Sequence, residues 1–224
     1  TGTEYAIRFM LQRDKCLLLV DSSGAGLHKR GYRIRDVEAP IKETLAAALV
    51  QLSFFKEGRI MADPMCGSGT IAIEAAMLAK NIAPGLSRSF AAEGWNLIPR
   101  DIWKEERKAA FEAIKEPKNT LIYASDSDER ALRAARENAI EAGVDDLIDF
   151  SQKALQKFKP EGRRGMIITN PPYGIRVGEK KELDSIYLAL KNIFKLNPDW
   201  SLFLISADKD RSETNGEPTP PVPA

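Results

Sequence analysis

Asn170-Pro171-Pro172-Tyr173-Gly174 follows the apolar run Met166-Ile167-Ile168 and is the stretch best suited to chemistry. Two consecutive prolines fix φ near about −65° and delete two backbone donors, so the segment offers an amide and carbonyls without competing N–H groups. Acceptors of that kind are suited to gripping the N–H bonds of an amino group while its nitrogen attacks an electrophile. A solvated turn is the alternative, because Pro and Asn are also ordinary turn residues.

A second motif lies upstream. Arg59-Ile60-Met61-Ala62-Asp63-Pro64-Met65-Cys66-Gly67-Ser68-Gly69-Thr70 reads as a strand, a glycine turn and the start of a helix whose apolar residues include Ile71, Ile73, Ala75, Ala76, Met77 and Leu78. Gly67 and Gly69 let backbone approach a ligand closely, and the helix N-terminus then aims free N–H groups at it. Gly-Lys-Ser/Thr is absent, which excludes a phosphate-binding Walker loop, and Ala72 at the third glycine position makes a poor dinucleotide fingerprint. The third motif, Leu121-Ile122-Tyr123-Ala124-Ser125-Asp126-Ser127-Asp128, is a strand ending in carboxylates. Asp126 is placed to accept both hydrogen bonds of a ribose diol. Asp128, ahead of Glu129 and Arg130, serves equally as a helix N-cap or as a second cofactor contact.

The elements that position these motifs are legible in outline. Residues 5–11 and 16–21 read as a β-hairpin around Gln12-Arg13-Asp14-Lys15, with Tyr5, Ile7, Phe9 and Leu11 alternating. Pro40 to Phe54 reads as a helix with Leu45, Ala48, Leu49 and Leu52 on one face. The glycine motif supplies a strand and a helix to about Lys80. An insertion over 81–118 follows, with a loop holding Trp95 and a charged helix from Asp101 to Lys115. A strand ends at Asp126, and a helix runs from Glu129 to Ala142, stopped by Gly143. Leu147–Gln152 and Gly165–Thr169 are further strands. Leu183, Ile186, Tyr187, Leu190, Ile193 and Phe194 mark the core face of a helix, and Trp200–Ala207 a fifth strand. Strands alternating with helices predict an α/β, Rossmann-like, doubly wound and mainly parallel sheet, with ligands beyond the carboxyl ends of its strands. Asp63, Asp126 and Asn170 all fall at such ends. Residues 211–224, with Pro218, Pro220, Pro221 and Pro223, read as a disordered tail.

Taken in order, these motifs resemble the S-adenosylmethionine-dependent amino-methyltransferases. Leu27-His28-Lys29-Arg30-Gly31-Tyr32-Arg33, Ala39-Pro40-Ile41-Lys42-Glu43-Thr44-Leu45-Ala46-Ala47-Ala48 and Ile82-Ala83-Pro84-Gly85-Leu86 narrow the likeness. Together with the glycine and acidic motifs, they resemble the bacterial RlmL-type ribosomal RNA methyltransferases over about residues 1–208. That family methylates the exocyclic N2 of a guanine in large-subunit (23S) rRNA, and many members carry the label of adenine-specific DNA methylase. The resemblance implies a class I methyltransferase fold with its last strands missing, and a lost RNA-binding THUMP domain. Residues 1–36 then form a hairpin and linker from that domain, and 37–210 the catalytic domain. It implies that Asn170 and the Pro171 carbonyl accept the two amine hydrogens, with Pro172 and Tyr173 completing the motif and Tyr173 stacking on the base. For the cofactor it implies Thr44, Asp63, Pro64, Cys66, Gly67, Ser68, Gly69 and Thr70 at the methionine end, with Asp126, Ser127 and Asp128 at the ribose and Asn170 alongside. Many relatives hold the adenine with an Asp where Ala154 stands here, which leaves that role to Gln152 or to backbone groups. A DNA adenine-N6 methyltransferase, a glutamine-N5 methyltransferase and a catalytically inactive RNA-binding module are the alternatives.

Composition is consistent with an enzyme core. In 224 residues, 33 Lys+Arg oppose 32 Asp+Glu, a formal net charge of +1, which is not the basic excess of a self-sufficient RNA binder. Cys16 and Cys66 make no disulfide framework, and no Cys/His cluster suggests a metal. The single His28 is read as a surface or RNA-side residue. No membrane-length apolar run or signal peptide is visible, so the expected setting is cytoplasmic, with RNA as partner.

Overall fold

Short apolar runs joined by helices must pair in parallel, because each helical crossover returns the chain to the same end of the sheet. The computed structural model, which describes residues 4–35, 37, 40–172 and 180–205, has this architecture. Strands β1 (Ile7–Gln12) and β2 (Lys15–Val20) form a separate antiparallel hairpin. The main sheet contains β3 (Ile60–Asp63), β4 (Leu121–Asp126), β5 (Ile148–Gln152), β6 (Gly165–Thr169) and β7 (Trp200–Leu204). Its order is β5-β4-β3-β6-β7, all parallel, so β3 is central and flanked by β4 and β6.

Helices α1 (Glu43–Leu52), α2 (Thr70–Ala79), α3 (Arg100–Glu112), α4 (Glu129–Glu141) and α5 (Lys180–Leu196) complete the fold. One face of the sheet buries Met61, Ile122 and Ile168 against Val50, Ile73 and Leu132 of α1, α2 and α4. The other face buries Ala62 and Ile167 against Leu190 and Ile193 of α5. The central strands β3 and β6 are therefore covered on both faces, which explains why Ile60–Ala62 and Met166–Ile168 are continuous apolar runs. Among the described residues, no helix is long and apolar enough to cross a membrane.

Three local expectations needed correction. The charged helix expected over Asp101 to Lys115 is Arg100–Glu112, because Lys115 leaves it to donate its N–H to the Lys80 carbonyl (2.9 Å) and to pair with Glu57. Arg13 and Asp14 both have positive φ (49° and 58°), so the hairpin closes on two residues and its strands reach Gln12 and Lys15. Its alternation marks no buried face, since every residue of both strands is exposed. The first long helix spans Glu43–Leu52 rather than Pro40–Phe54, and it buries Glu43, Ala46 and Val50. Leu45 and Leu52 are 48% and 73% exposed. The cause is polar: Lys42 is extended, and the Arg33 guanidinium donates to the Ile41 carbonyl (2.7 Å) while pairing with Glu43 (3.3 Å), which turns that edge of the helix inward. The stretch 206–224, including the end of the expected fifth strand and the tail from 211, lies outside the described residues.

The segment before α1 is bound to the core by buried charge. Glu74 sits in α2, where nine of ten residues are buried, and is itself 4% exposed. Its carboxylate pairs with Arg30 (3.0 Å) and accepts the Tyr32 hydroxyl (2.7 Å). A carboxylate this far from water is tolerated only with such partners. Glu74→Ala leaves the Arg30 charge and the Tyr32 hydroxyl unpaired, and should lower unfolding free energy by about 3–5 kcal/mol. Urea denaturation checks this; a loss under about 1 kcal/mol would contradict the anchoring role.

Candidate active site

Asp63, Asp126 and Thr169 are the last residues of β3, β4 and β6, three adjacent strands, so they line one edge of the sheet. Asn170, half-buried, follows Thr169 directly; Pro171 is buried and Pro172 exposed. Tyr173 lies outside the described residues.

Asp63 is 1% exposed. Its Oδ1 accepts the Thr169 hydroxyl at 2.8 Å and the Met65 N–H at 3.2 Å. Burial pushes its carboxyl up to about 7; the two donors pull the other way, and nearby Asp126 pushes it further up. The β3 tip thus holds a desolvated carboxylate that would gain from a cationic neighbour.

The glycine loop is pinned to β4. Cys66 N–H donates to the Ser125 carbonyl (3.0 Å), and Gly67 N–H to Asp126 Oδ2 (2.9 Å). Gly67 and Gly69 have φ of +53° and +81°, a region costly for side-chain-bearing residues. A Cβ on Gly69 would stand 3.0 Å from the Ala135 Cβ, whereas one on Gly67 would meet nothing nearer than Val37 at 3.8 Å. The loop therefore packs closely on α4 at Gly69 and stays open at Gly67. The Cys66 thiol is buried, and burial raises it well above the ordinary thiol range, so it remains protonated and is no nucleophile.

Other site residues divide between facing the edge and facing inward. Asp126 Oδ1 also accepts the Asp128 N–H (3.0 Å), and Asp128 caps α4 by accepting the Arg130 N–H (2.9 Å). The Arg130 backbone donor holds the exposed Asp128 carboxyl below its ordinary value. Ser127 is exposed and its carbonyl accepts Gln152 Nε2 (3.1 Å); the Lys153 N–H bonds the Asp126 carbonyl (3.0 Å), bringing half-buried Ala154 beside this strand end. Pro64, Ser68 and Thr70 are buried. The Thr70 hydroxyl accepts Arg33 Nη2 at 3.0 Å, so its side chain faces the Arg33–Glu43 pair, and its backbone N–H is what the helix end presents. Thr44 is exposed; the residue of that turn linked to the glycine loop is Glu43, through Arg33.

Sequence reasoning missed one supporting residue. Asn138, 1% exposed on α4, accepts the Ile34 and Arg35 N–H groups (3.0 Å each) and donates to the Arg35 (3.0 Å) and Ser68 (3.3 Å) carbonyls. It clamps the N-terminal segment to the glycine loop. Its signal was available: a lone amide in the otherwise apolar stripe Ala131, Leu132, Ala134, Ala135, Ala139. Among the described residues, no group of three or more His, Cys, Asp or Glu could hold a metal ion.

Residues 30–217 match the UPF0020 family, described as "RMKL-like, methyltransferase domain". The chain belongs to this family. It is 45% identical over 216 residues to "Putative RNA methyltransferase YpsC" of Bacillus subtilis, covering 96% of this chain and 56% of that protein. Among solved structures, a "predicted N6-adenine-specific DNA methylase" of Listeria monocytogenes superposes with a TM-score of 0.87 at 40% identity, covering 93% of this chain and 55% of that one. "SMU.472, a putative methyltransferase complexed with SAH" superposes at 0.84 with 40% identity and the same 93% and 55% coverage. The chain thus spans little more than half the length of these relatives. The RMKL-like family resemblance read from the motifs is borne out, as is the α/β parallel fold with its N-terminal hairpin.

The raised Asp63 carboxyl gives a measurable signature. Because its folded value lies near 7 and its ordinary value at 3.8, the native state holds a proton that the unfolded chain has released over this window. Asp63 therefore favours the native state at acid pH, and that contribution is lost as pH rises through about 7. Carboxyl NMR should show Asp63 titrating near 7, and Thr169→Val should move it higher still. Titration near the ordinary carboxylate value in the native protein would refute the buried assignment.

Proposed function

We propose that this chain is the catalytic domain of an S-adenosylmethionine-dependent RNA methyltransferase, acting on the exocyclic N2 of a guanine in large-subunit (23S) rRNA. The observation that carries the reading is the attachment of the Asn170-Pro171-Pro172 segment, through the Thr169–Asp63 bond, to the strand that feeds the glycine loop. The residues fit the cofactor's parts. The left-handed loop at Gly67 is open to a close-lying ligand, and the desolvated Asp63 suits the cationic methionine end. Asp126, partly exposed with each oxygen holding one N–H, retains lone pairs for a ribose diol. Ser127, Asp128, Gln152 and Ala154 border that strand end and are assigned the ribose and adenine side. S-adenosylmethionine supplies a sulfonium-bound methyl that is already electrophilic, so no metal or tuned general base is needed.

What remains for the protein is to present the amine. Its lone pair is delocalised into the base, and donation of both hydrogens to the Asn170 side-chain oxygen and the Pro171 carbonyl favours a pyramidal nitrogen. The same acceptors stabilise the positive charge that develops on it. Pro171 and Pro172 bring no N–H to compete. Tyr173 is assigned to stack on the base, which offsets part of the cost of extruding it. The RNA assignment is supported by the name of the Bacillus relative and the guanine-N2 assignment by the motif resemblance; the cytoplasm is the setting this substrate requires.

Asn170→Ala should lower methyl transfer by about a hundredfold to a thousandfold, as when a preorganised charge-stabilising group is removed. Its affinity for S-adenosylhomocysteine should stay within about twofold by calorimetry; equal loss of both would contradict the role given to Asn170. Asp126→Ala should weaken that affinity by about 10- to 100-fold, the worth of hydrogen bonds to a charged group. Transfer of labelled methyl to DNA or to a release factor, with none to rRNA, would replace the substrate reading.

A further inference from the structure

Helix α3 and the 3-10 turn Ala91–Gly94 border an open cleft of about 430 Å³ lined by Glu93, Arg100, Trp103, Lys104 and Arg107. Four of these five recur at helical spacing, so one side of α3 carries Arg100, Trp103, Lys104 and Arg107. The acids of the helix, Asp101, Glu105, Glu106 and Glu112, fall on its other side at about 100° per residue. A helix carrying both signs thus presents a basic stripe to the cleft. No residue of α3 is buried, so core packing does not explain the stripe.

The cleft's groups are unevenly used. Arg107 pairs with Glu93 (2.6 Å) and donates to the Leu86 carbonyl (2.7 Å), which makes it part of the wall. Among the described residues, no ion pair or hydrogen bond engages the side chains of Arg100 or Lys104. Trp103 is fixed by stacking on Phe90 (5.8 Å between centroids, 20° between planes), with the Arg88 guanidinium 4.9 Å from the Phe90 centroid. The Trp103 indole N–H is buried and has no acceptor. The Trp103 ring lines the cleft beside Arg100 and Lys104. Two unengaged cations beside an indole suit an anionic partner that carries an aromatic ring.

We infer that this cleft binds one nucleotide of single-stranded RNA other than the one that is methylated, with Arg100 and Lys104 on phosphates and Trp103 against the base. This rests on the RNA-methyltransferase reading and extends it to a second contact. The volume suits one nucleotide. Stacking plus basic side chains is the chemistry that holds single strands without reading sequence. The site is separate from the strand-tip residues, since none of Asp63, Asp126 or Asn170 lines it. A near-neutral chain needs such a local concentration of charge to grip a polyanion.

The test is fluorescence anisotropy of a labelled 12-nucleotide single-stranded RNA, titrated at several salt concentrations. Arg100→Gln/Lys104→Gln should bind about tenfold or more weakly at low salt, with the log–log salt slope reduced by about 1.4, or about 0.7 for each lost phosphate contact. Trp103→Ala should weaken binding between about 5- and 100-fold, the span expected of one stacked base. In steady-state transfer to RNA, the double variant should raise KM and leave kcat within about twofold. Lys108→Gln, on the same helix but outside the cleft and paired with Glu112, should keep wild-type RNA affinity and slope. If the double variant binds with wild-type affinity and slope while the native chain methylates RNA, the cleft assignment fails and the functional reading stands. If the native chain binds no RNA at low salt, the cleft assignment fails, and methyl transfer to rRNA decides the functional reading separately. Competition by poly-glutamate as strong as by RNA would overturn the nucleotide in favour of an acidic peptide.

Discussion

A hydroxyl from the end of one strand and a buried carboxylate from the end of its neighbour hold this site in register. Thr169 donates to Asp63 across 2.8 Å, and Asp63 is 1% exposed, so bulk water cannot replace that donor if it is lost. The bond fixes the last residue of β6 against the last residue of β3. Asn170 is the next residue, and its position is inherited from this tie, since Pro171 restricts the backbone that precedes it. Positioning chemistry tolerates errors of only about half an ångström, so a group that acts by placement is best mounted at a strand end rather than within a long loop.

A second tie extends the frame sideways. Gly67 N–H and Cys66 N–H both donate to the end of β4, one to the Asp126 side chain and one to the Ser125 carbonyl. The loop after β3 is thereby tied to β4 while β3 itself is tied to β6. Without these bonds the glycines would leave the loop many conformations, and ordering them would be charged against ligand affinity. Preforming the loop moves that cost into folding, where Asp128 capping α4 and Gly69 lying against Ala135 help to offset it.

What could be read from the sequence follows from how local its causes are. The β4 and β6 limits, Leu121–Asp126 and Gly165–Thr169, match expectation because apolar runs ending at Asp or Asn-Pro carry their own boundaries. Asp128 as a cap and Gly143 as a stop are likewise local. The residues misread or passed over depend on partners outside their own elements. Glu43 turns α1 inward because of Arg33; Glu74 is buried because Arg30 and Tyr32, the latter 42 residues away, reach it. Asn138 bonds residues more than a hundred positions upstream. Periodicity treats such residues as interruptions of an apolar face, when they are its most specific contacts.

The same contacts grade the molecule by rigidity. Residues 30–35 are held by buried ions and by a fully used amide, so their release would expose unpaired charge. The hairpin is held otherwise. The loop after β2 rests on Arg88, whose guanidinium donates to the Ser23, Ala25 and Gly26 carbonyls at part-exposed positions, and the Tyr5 and Trp95 rings meet at a tilt of 34° with centroids 5.2 Å apart. Exposed bonds of this kind open at low free energy, whereas the strand tips open only with the core. Because Arg88 also lies over Phe90, which stacks on Trp103, the attachment of the hairpin and the wall of the α3 cleft share one side chain. Displacing the loop after β2 would therefore disturb the aromatic stack at the cleft before it disturbed Asp63, Asp126 or Asn170.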